Sequence, residues 1–145
     1  MSAGHFHILL VEDNEADVYL LRMALENAGL SFRFTVIEDG AEALAFARSE
    51  GKYRDAQVPD VAVLDMNLPK YQGIDVLEGL RRSERFSKVP VVIMTSSTSP
   101  EERRRMEPLG VARYLTKPPD LDAFLQIGTI ISDVLHDGEA GRPVR

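Results

Sequence analysis

Short apolar runs and longer amphipathic segments follow one another along the whole chain. Runs rich in Val, Ile and Leu predict buried strands, and segments with apolar residues at every third or fourth position predict helices. The pattern predicts strands at residues 6–12, 32–37, 60–65, 90–95 and 113–116, and helices at residues 15–28, 41–49, 74–82, 100–109 and 120–135. The strand at 60–65 is apolar on both faces, which is typical of the centre of a parallel sheet.

Five strands that alternate with five helices predict a doubly wound α/β domain. Asn14 is a candidate N-cap of the first helix, and Ser99-Pro100-Glu101-Glu102 has the form of a capping box with Pro at the first helical position. We expect one domain at residues 6–136, preceded by an N-terminal tail at residues 1–5. Residues 137–145 are polar and contain Gly and Pro, so we expect a mobile C-terminal tail there.

Four polar residues follow apolar runs where predicted strands end, namely Asp13, Asp65, Thr95 and Lys117. The carboxyl ends of parallel strands meet at one edge of a doubly wound sheet, where such domains bind ligands. Two carboxylates, a hydroxyl and an ammonium gathered there predict a site for a hard cation and a phosphoryl group.

The acids have two interpretations. Glu12 and Asp13 are consecutive, so together they suit Mg²⁺, which needs only one or two carboxylates. Asp65 beside such a cation can act as a nucleophile on phosphorus. Alternatively, Asp13 caps the first helix and Asp65 merely begins a turn. Asn67 is expected to contribute its backbone carbonyl rather than its side chain.

Thr95 and Lys117 differ in how strongly they indicate a phosphoryl site. The hydroxyl of Thr95 can donate to a phosphoryl oxygen, although a Thr before a helix is more often a cap. Lys117 precedes Pro118 and Pro119, which restrict the backbone just after it. We expect Lys117 to pair with Asp65 at rest and with a phosphoryl group afterwards, the alternative being a surface lysine in a turn.

The chain resembles the receiver domains of two-component response regulators over residues 6–135. The resemblance is carried by Glu12-Asp13, residues 63–69 (VLDMNLP), Thr95-Ser96 and Lys117-Pro118. It implies a flavodoxin-like sheet of order 2-1-3-4-5. Residues 52–59, 11–17 and 68–73 are further similar to the single-domain subfamily that serves phytochrome-type histidine kinases, which implies such a kinase as partner.

The resemblance also implies roles for individual residues. Asp65 would be the phosphoacceptor, and Mg²⁺ would be held by Asp13, Asp65 and the Asn67 carbonyl with help from Glu12. Thr95 and Lys117 would contact the phosphoryl group, and the Lys117–Pro118 peptide bond would be cis. Tyr114 occupies the position of the aromatic switch residue, the alternative being an ordinary strand aromatic.

The composition and charge of the chain limit which partners and which cellular compartment we expect. The net charge of −6 argues against nucleic acid as the main partner, since phosphate backbones are bound by clustered Lys and Arg. There is no cysteine, so no disulfide or thiolate metal site is expected. No apolar run is long enough to span a membrane and no signal peptide is visible, so we expect a cytoplasmic protein.

The last helix carries more apolar residues than one core face needs. Ile127, Ile130 and Val134 form a second stripe at helical spacing. We expect this stripe to be a partner surface in a homodimer formed by the fourth helix, the fifth strand and the last helix. The alternative is a helix buried in a wide groove of its own domain.

These observations predict a single-domain response regulator that accepts a phosphoryl group from a histidine kinase onto Asp65 and then alters a partner or dimer surface. Such a protein is a signalling phosphoacceptor and not an enzyme. Two alternatives are a pseudo-receiver that binds a partner without phosphorylation and a phosphatase that forms an aspartyl phosphate. The phosphatase would be of the haloacid dehalogenase type, and it is disfavoured because Asn67 stands where that family has a second acid.

Overall fold

A five-stranded parallel sheet lies at the centre of the protein, in the order β2-β1-β3-β4-β5. The computed structural model describes residues 5–66, 68, 71–96 and 99–140, with 138–140 as backbone only. The strands are β1 (His5–Val11), β2 (Ser31–Ile37), β3 (Val61–Asp65), β4 (Val91–Thr95) and β5 (Arg113–Thr116). The helices are α1 (Glu15–Asn27), α2 (Gly40–Ala47), α3 (Gly73–Arg82), α4 (Pro100–Met106) and α5 (Leu121–Ala140). The predicted fold class and strand order are confirmed.

The sheet separates two apolar cores because successive side chains of a strand point to opposite faces. Leu9 and Val11 of β1 pack with α2, α3 and Met106 of α4 on one face. Ile8 and Leu10 pack with α1 and α5 on the other. β3 is buried along its whole length, as its apolar pattern predicts for a central strand. The strands therefore hold their carboxyl ends in fixed relative positions.

Local capping starts α1 directly after β1. The side chain of Asn14 accepts hydrogen bonds from the backbone N–H groups of Ala16 and Asp17, at 2.9 and 3.2 Å. Asn14 is thus the N-cap that its sequence position predicts, and the alternative role of Asp13 as the cap is wrong. Ser99 caps α4 in the same way by accepting from the Glu102 N–H. The carboxylate of Asp13 is left available at the sheet edge.

α5 is longer than the sequence pattern predicts. It continues to Ala140, so the expected end at residue 135 and the expected tail from residue 137 are wrong for residues 136–140. A single glycine in a helix costs only about 1 kcal/mol, so Gly138 does not stop it. The His136 ring is also bonded to the backbone carbonyl of Ser132, at 2.8 Å. Residues 1–4 of the expected N-terminal tail and residues 141–145 lie outside the described part of the chain.

Two of the three residues expected to form a partner surface belong to the protein's own core. Ile127 and Val134 are 3% and 6% exposed and pack in the core beside α1, while Ile130 is half-buried. The expectation is wrong for Ile127 and Val134 because α5 packs very closely on α1. A Cβ at Gly128 would lie 2.0 Å from the carbonyl oxygen of Ala24. At this spacing Ile127 and Val134 are used inside the domain.

None of the described helices is both long enough and apolar enough to cross a membrane.

Candidate functional site at the carboxyl edge of the sheet

The structure brings the sequence-predicted polar residues together at one edge of the sheet. Asp65 is the last residue of β3 and pairs in register with Met94 of β4. Thr95 ends β4 and pairs with Thr116 of β5. The backbone N–H of Lys117 then donates to the carbonyl oxygen of Thr95, at 2.8 Å. Glu12 follows β1 on the other side of β3, and its N–H donates to Ile37 O at 2.9 Å.

Three carboxylates converge beside the end of β3. One oxygen each of Glu12, Asp13 and Asp65 lie within 4.8 Å of one another. Glu12 and Asp65 are buried, whereas Asp13 is exposed and faces solvent. Carboxylate oxygens with one open side suit a hard divalent cation that keeps some of its water, so the donor set fits Mg²⁺. Asn67, the fourth expected ligand, lies outside the described residues.

The ammonium group of Lys117 contacts three carboxylates at once. Its Nζ donates to Glu12 Oε1 at 2.7 Å, to Asp17 Oδ2 at 2.8 Å and to Asp65 Oδ2 at 3.1 Å. The Lys117 side chain is only 12% exposed. The predicted pairing of Lys117 with Asp65 is therefore present, and the alternative of a surface lysine in a turn is wrong.

Asp17 is the site residue that the sequence analysis missed. It lies in the first turn of α1, where acidic residues are common because they interact favourably with the helix dipole. Because this interaction already explains an acid at that position, its contact with Lys117 was not expected from the sequence. The available signal was its closeness in sequence to Glu12 and Asp13, since the first turn of α1 starts directly after the end of β1.

Burial and charge act together on the site's ionisable groups. Burial raises the pKa of Glu12 to about 7, and Asp65 adds to this, while hydrogen bonds from Lys117 and the Asn14 N–H oppose it. Burial alone would lower the pKa of Lys117, but the carboxylates of Asp17, Glu12 and Asp65 outweigh it and raise that pKa. Lys117 stays charged, because three acids contact its one ammonium group.

Thr95 and Tyr114 lie next to this cluster along β4 and β5. Thr95 is completely buried. Tyr114 is half-buried against the core beside α3 and α4, and the Arg103 guanidinium lies 4.6 Å from the centre of its ring. Its hydroxyl is buried and has no hydrogen-bond partner among the described residues. Burial, with a contribution from Glu107, raises the pKa of Tyr114.

The peptide bond after Lys117 differs from the expectation. The described residues contain no cis peptide bond, so the expected cis Lys117–Pro118 bond is wrong for this structure. The trans form is the intrinsically favoured isomer of an X–Pro bond, by about 0.5–1 kcal/mol. Lys117 makes all three of its carboxylate contacts with the bond in this form.

The N-terminus of α3 is pressed against the backbone of the phosphoacceptor candidate. A Cβ at Gly73 would lie 2.6 Å from the carbonyl oxygen of Asp65 and 2.9 Å from the Cα of Met66. The Gly73 N–H also donates to Met66 O at 3.1 Å. Only glycine allows this close approach, which fixes the backbone directly after Asp65.

Comparison with known protein families identifies the family of this chain. The family model of the response regulator receiver domain matches residues 8–128. The chain belongs to the response regulator receiver domain family. This match confirms the family resemblance that the sequence predicted. Receiver domains are signalling phosphoacceptors.

Two relatives are similar to this chain over most of its length. The chain is 43% identical over 114 residues to the probable methanogenesis regulatory protein FilR2 of Methanothrix harundinacea, with 78% of this chain and 72% of that protein covered. It is 34% identical over 126 residues to the response regulator Rcp1 of Synechocystis sp., with 86% of each chain covered.

Solved structures of response regulators also resemble this chain. The phosphorylated cyanobacterial phytochrome response regulator RcpA matches with a TM-score of 0.83 and 36% identity, covering 91% of this chain and 94% of that one. The Mn²⁺-bound form of Rcp1 matches with a TM-score of 0.79 and 31% identity, covering 88% and 92%. The solved structures that resemble this chain thus include a phytochrome response regulator, in agreement with the finer resemblance predicted from the sequence.

Proposed function

We propose that this receiver accepts a phosphoryl group on Asp65 from a sensor histidine kinase of the phytochrome type, with Mg²⁺ as the metal. The observation that carries the proposal is the geometry around Asp65. Glu12 and Asp13 each place a carboxylate oxygen within 4.8 Å of one of its oxygens, and the ammonium of Lys117 lies 3.1 Å from its Oδ2. This combination supports both a bound cation and the binding of a phosphoryl group.

The phosphotransfer needs little covalent chemistry from the protein. A carboxylate oxygen of Asp65 attacks the phosphorus of a phosphohistidine, so that a P–O bond forms while the P–N bond breaks. The electron pair of the broken bond stays on the imidazole, which then takes a proton from water. Positioning and charge neutralisation supply most of the catalysis in such transfers. Lys117 supplies a fixed positive charge to the phosphoryl oxygens.

The metal would be held by Glu12, Asp13, Asp65 and the backbone carbonyl of Asn67. When bound, Mg²⁺ supplies positive charge to the phosphoryl group. Asp13 is exposed and so gives the metal a path from solvent, whereas Glu12 is buried and needs to be ionised to take part. Mn²⁺ binding by Rcp1, a relative with 31% identity, supports a divalent metal at this place.

The output of the phosphorylated state would pass through Thr95 and Tyr114. Thr95 would move toward the phosphoryl group, and Tyr114 would follow it inward. A homodimer through α4, β5 and α5 remains our proposal for the surface that changes. Half-buried Ile130 can still contribute to it, but Ile127 and Val134 cannot do so without unpacking the core. Light scattering tests the dimer, because a single species of 16.2 kDa with and without phosphorylation would exclude it.

Intact-mass measurement tests the phosphoacceptor directly. The wild type, Asp65→Asn and the control Asp133→Asn are incubated with acetyl phosphate in the presence of Mg²⁺ or of a chelator. Asp133 is an exposed acid on α5, so this control removes the same charge far from the site. We expect one added phosphoryl group on the wild type and on Asp133→Asn with Mg²⁺, and none on Asp65→Asn. No gain in the wild type would favour the pseudo-receiver, and gain in Asp65→Asn would exclude Asp65 as the acceptor.

A further inference from the structure

Lys117 has no hydrogen-bond donor left for a phosphoryl group in the resting state. A lysine ammonium has three N–H bonds and no acceptor. Here Glu12, Asp17 and Asp65 take one each, at 2.7, 2.8 and 3.1 Å. If a phosphoryl group arrives on Asp65, Lys117 can donate to its oxygens only after one of these contacts is given up or shared.

The three carboxylates differ in how easily water can replace the lysine. The Glu12 and Asp65 side chains are 3% and 7% exposed, whereas that of Asp17 is 20% exposed. A carboxylate that loses its partner inside a protein retains a large desolvation cost, and that cost falls as the group gains access to water. Asp17 is therefore the partner that Lys117 can release at the lowest cost.

The position of Asp17 in the fold supports the same assignment. Glu12 follows β1 and its second carboxylate oxygen accepts from the Asn14 N–H at 3.1 Å, so the backbone holds it in place. Asp65 ends β3 and is the proposed acceptor itself. Asp17 lies in the first turn of α1, where the N-terminal end of the helix dipole favours its negative charge after the lysine has left.

We propose that Asp17 is a positioning residue that holds Lys117 in the resting state and competes with the phosphoryl group for its third N–H. The inference rests on the proposed function, since it concerns the same Lys117 and Asp65. Asp17 thereby favours the unphosphorylated form. Removing its charge leaves Lys117 with two charged partners, Glu12 and Asp65, and makes the third N–H easier to transfer to the incoming group.

Binding of beryllofluoride, a stable mimic of the phosphoryl group, measures this competition at equilibrium. Fluorine NMR titrations at saturating Mg²⁺ compare the wild type with Asp17→Asn, which keeps the shape of the side chain and removes its charge. Glu15→Gln is the matched control. Glu15 is exposed in the same first turn of α1, and no contact between it and Lys117 occurs in the structure.

We expect Asp17→Asn to bind beryllofluoride roughly tenfold more tightly than the wild type, the low end of what one charge-assisted hydrogen bond contributes. Glu15→Gln reports the general effect of one lost negative charge, which should stay below about twofold because the group is exposed and screened. In a Lys117→Ala background the Asp17 substitution should have no further effect. This dependence on Lys117 separates competition from a structural role.

Three outcomes have different meanings. Equal tightening in Asp17→Asn and Glu15→Gln would overturn the inference, because the effect would then be general electrostatics. Weaker binding in Asp17→Asn would also overturn it, since Asp17 would then support the phosphorylated form. Failure of the wild type to bind beryllofluoride, together with no phosphorylation of Asp65, would instead refute the proposed function itself.

Discussion

Replacing Gly128 by alanine should force α1 and α5 apart. The new Cβ would lie 2.0 Å from the carbonyl oxygen of Ala24 and 2.5 Å from its carbonyl carbon. Both atoms belong to the backbone of α1, so no side-chain rotation relieves the contact. Ordinary contact begins near 3.4 Å, so the helices need to separate locally by about 1.4 Å.

The expected loss of stability follows from two opposing effects. Overpacking of a well-packed core costs about 1–3 kcal/mol, and a contact with rigid backbone belongs at the upper end of that range. Alanine in a helix interior recovers about 1 kcal/mol relative to glycine. The free energy of unfolding of Gly128→Ala should therefore fall by about 2 kcal/mol.

Gly79→Ala in α3 is the matched control. Its Cβ would meet only side-chain atoms, the Leu44 Cδ2 at 3.1 Å and the Ala47 Cβ at 3.3 Å, which can shift slightly. This variant should be as stable as the wild type or gain up to about 1 kcal/mol. Urea denaturation of the three proteins measures the difference. Equal stability of Gly128→Ala and Gly79→Ala would refute the close packing of α5 on α1.

Two other predictions concern single polar groups. Tyr114→Phe should raise the free energy of unfolding by up to about 1 kcal/mol, because it removes a buried hydroxyl that has no partner among the described residues. Tyr53→Phe should lower the free energy of unfolding by about the same amount, because it removes a 2.9 Å hydrogen bond to Glu42. Urea denaturation measures both variants. A change of the same sign in both would contradict this account. Burial and Arg33 lower the pKa of His7 below 6.5, against opposing effects of Val58 and Asp60, so the unfolded chain binds the proton more readily. The stability advantage of the wild type over His7→Gln should be full above about pH 6.5 and shrink as the pH falls below it. An advantage independent of pH would contradict a buried neutral His7.

Much of the fold follows from the apolar pattern, because the three central strands β1, β3 and β4 had to be buried. The fully apolar run of β3 predicted its central place, and Asn14 predicted the start of α1. The end of α5 was missed because one glycine is too weak a signal to stop a helix that is held by packing. The burial of Ile127 was missed for a similar reason, since no pattern shows that Gly128 lets two helix backbones touch.

The candidate site was predictable as far as strand ends determine it. The acids at the ends of β1 and β3 and the lysine after β5 converge because parallel strands share one edge. Asp17 was not predictable in that way, since a helix residue reaches the edge only through the crossing of α1 over the sheet. The trans bond before Pro118 also differs from the family expectation, because sequence does not fix the isomer when the two forms are close in energy.

The contacts of Lys117 also bear on the order in which the protein can be completed. Lys117 lies 105, 100 and 52 residues from Glu12, Asp17 and Asp65. During synthesis from the N-terminus, all three acids leave the ribosome well before the cation that neutralises them. A partial chain that packed β1 to β4 alone would bury Glu12 and Asp65 without their lysine, at a cost that would oppose premature closure of the core. The addition of β5 would remove this penalty, so completion of the sheet and neutralisation of the acidic site depend on the same lysine.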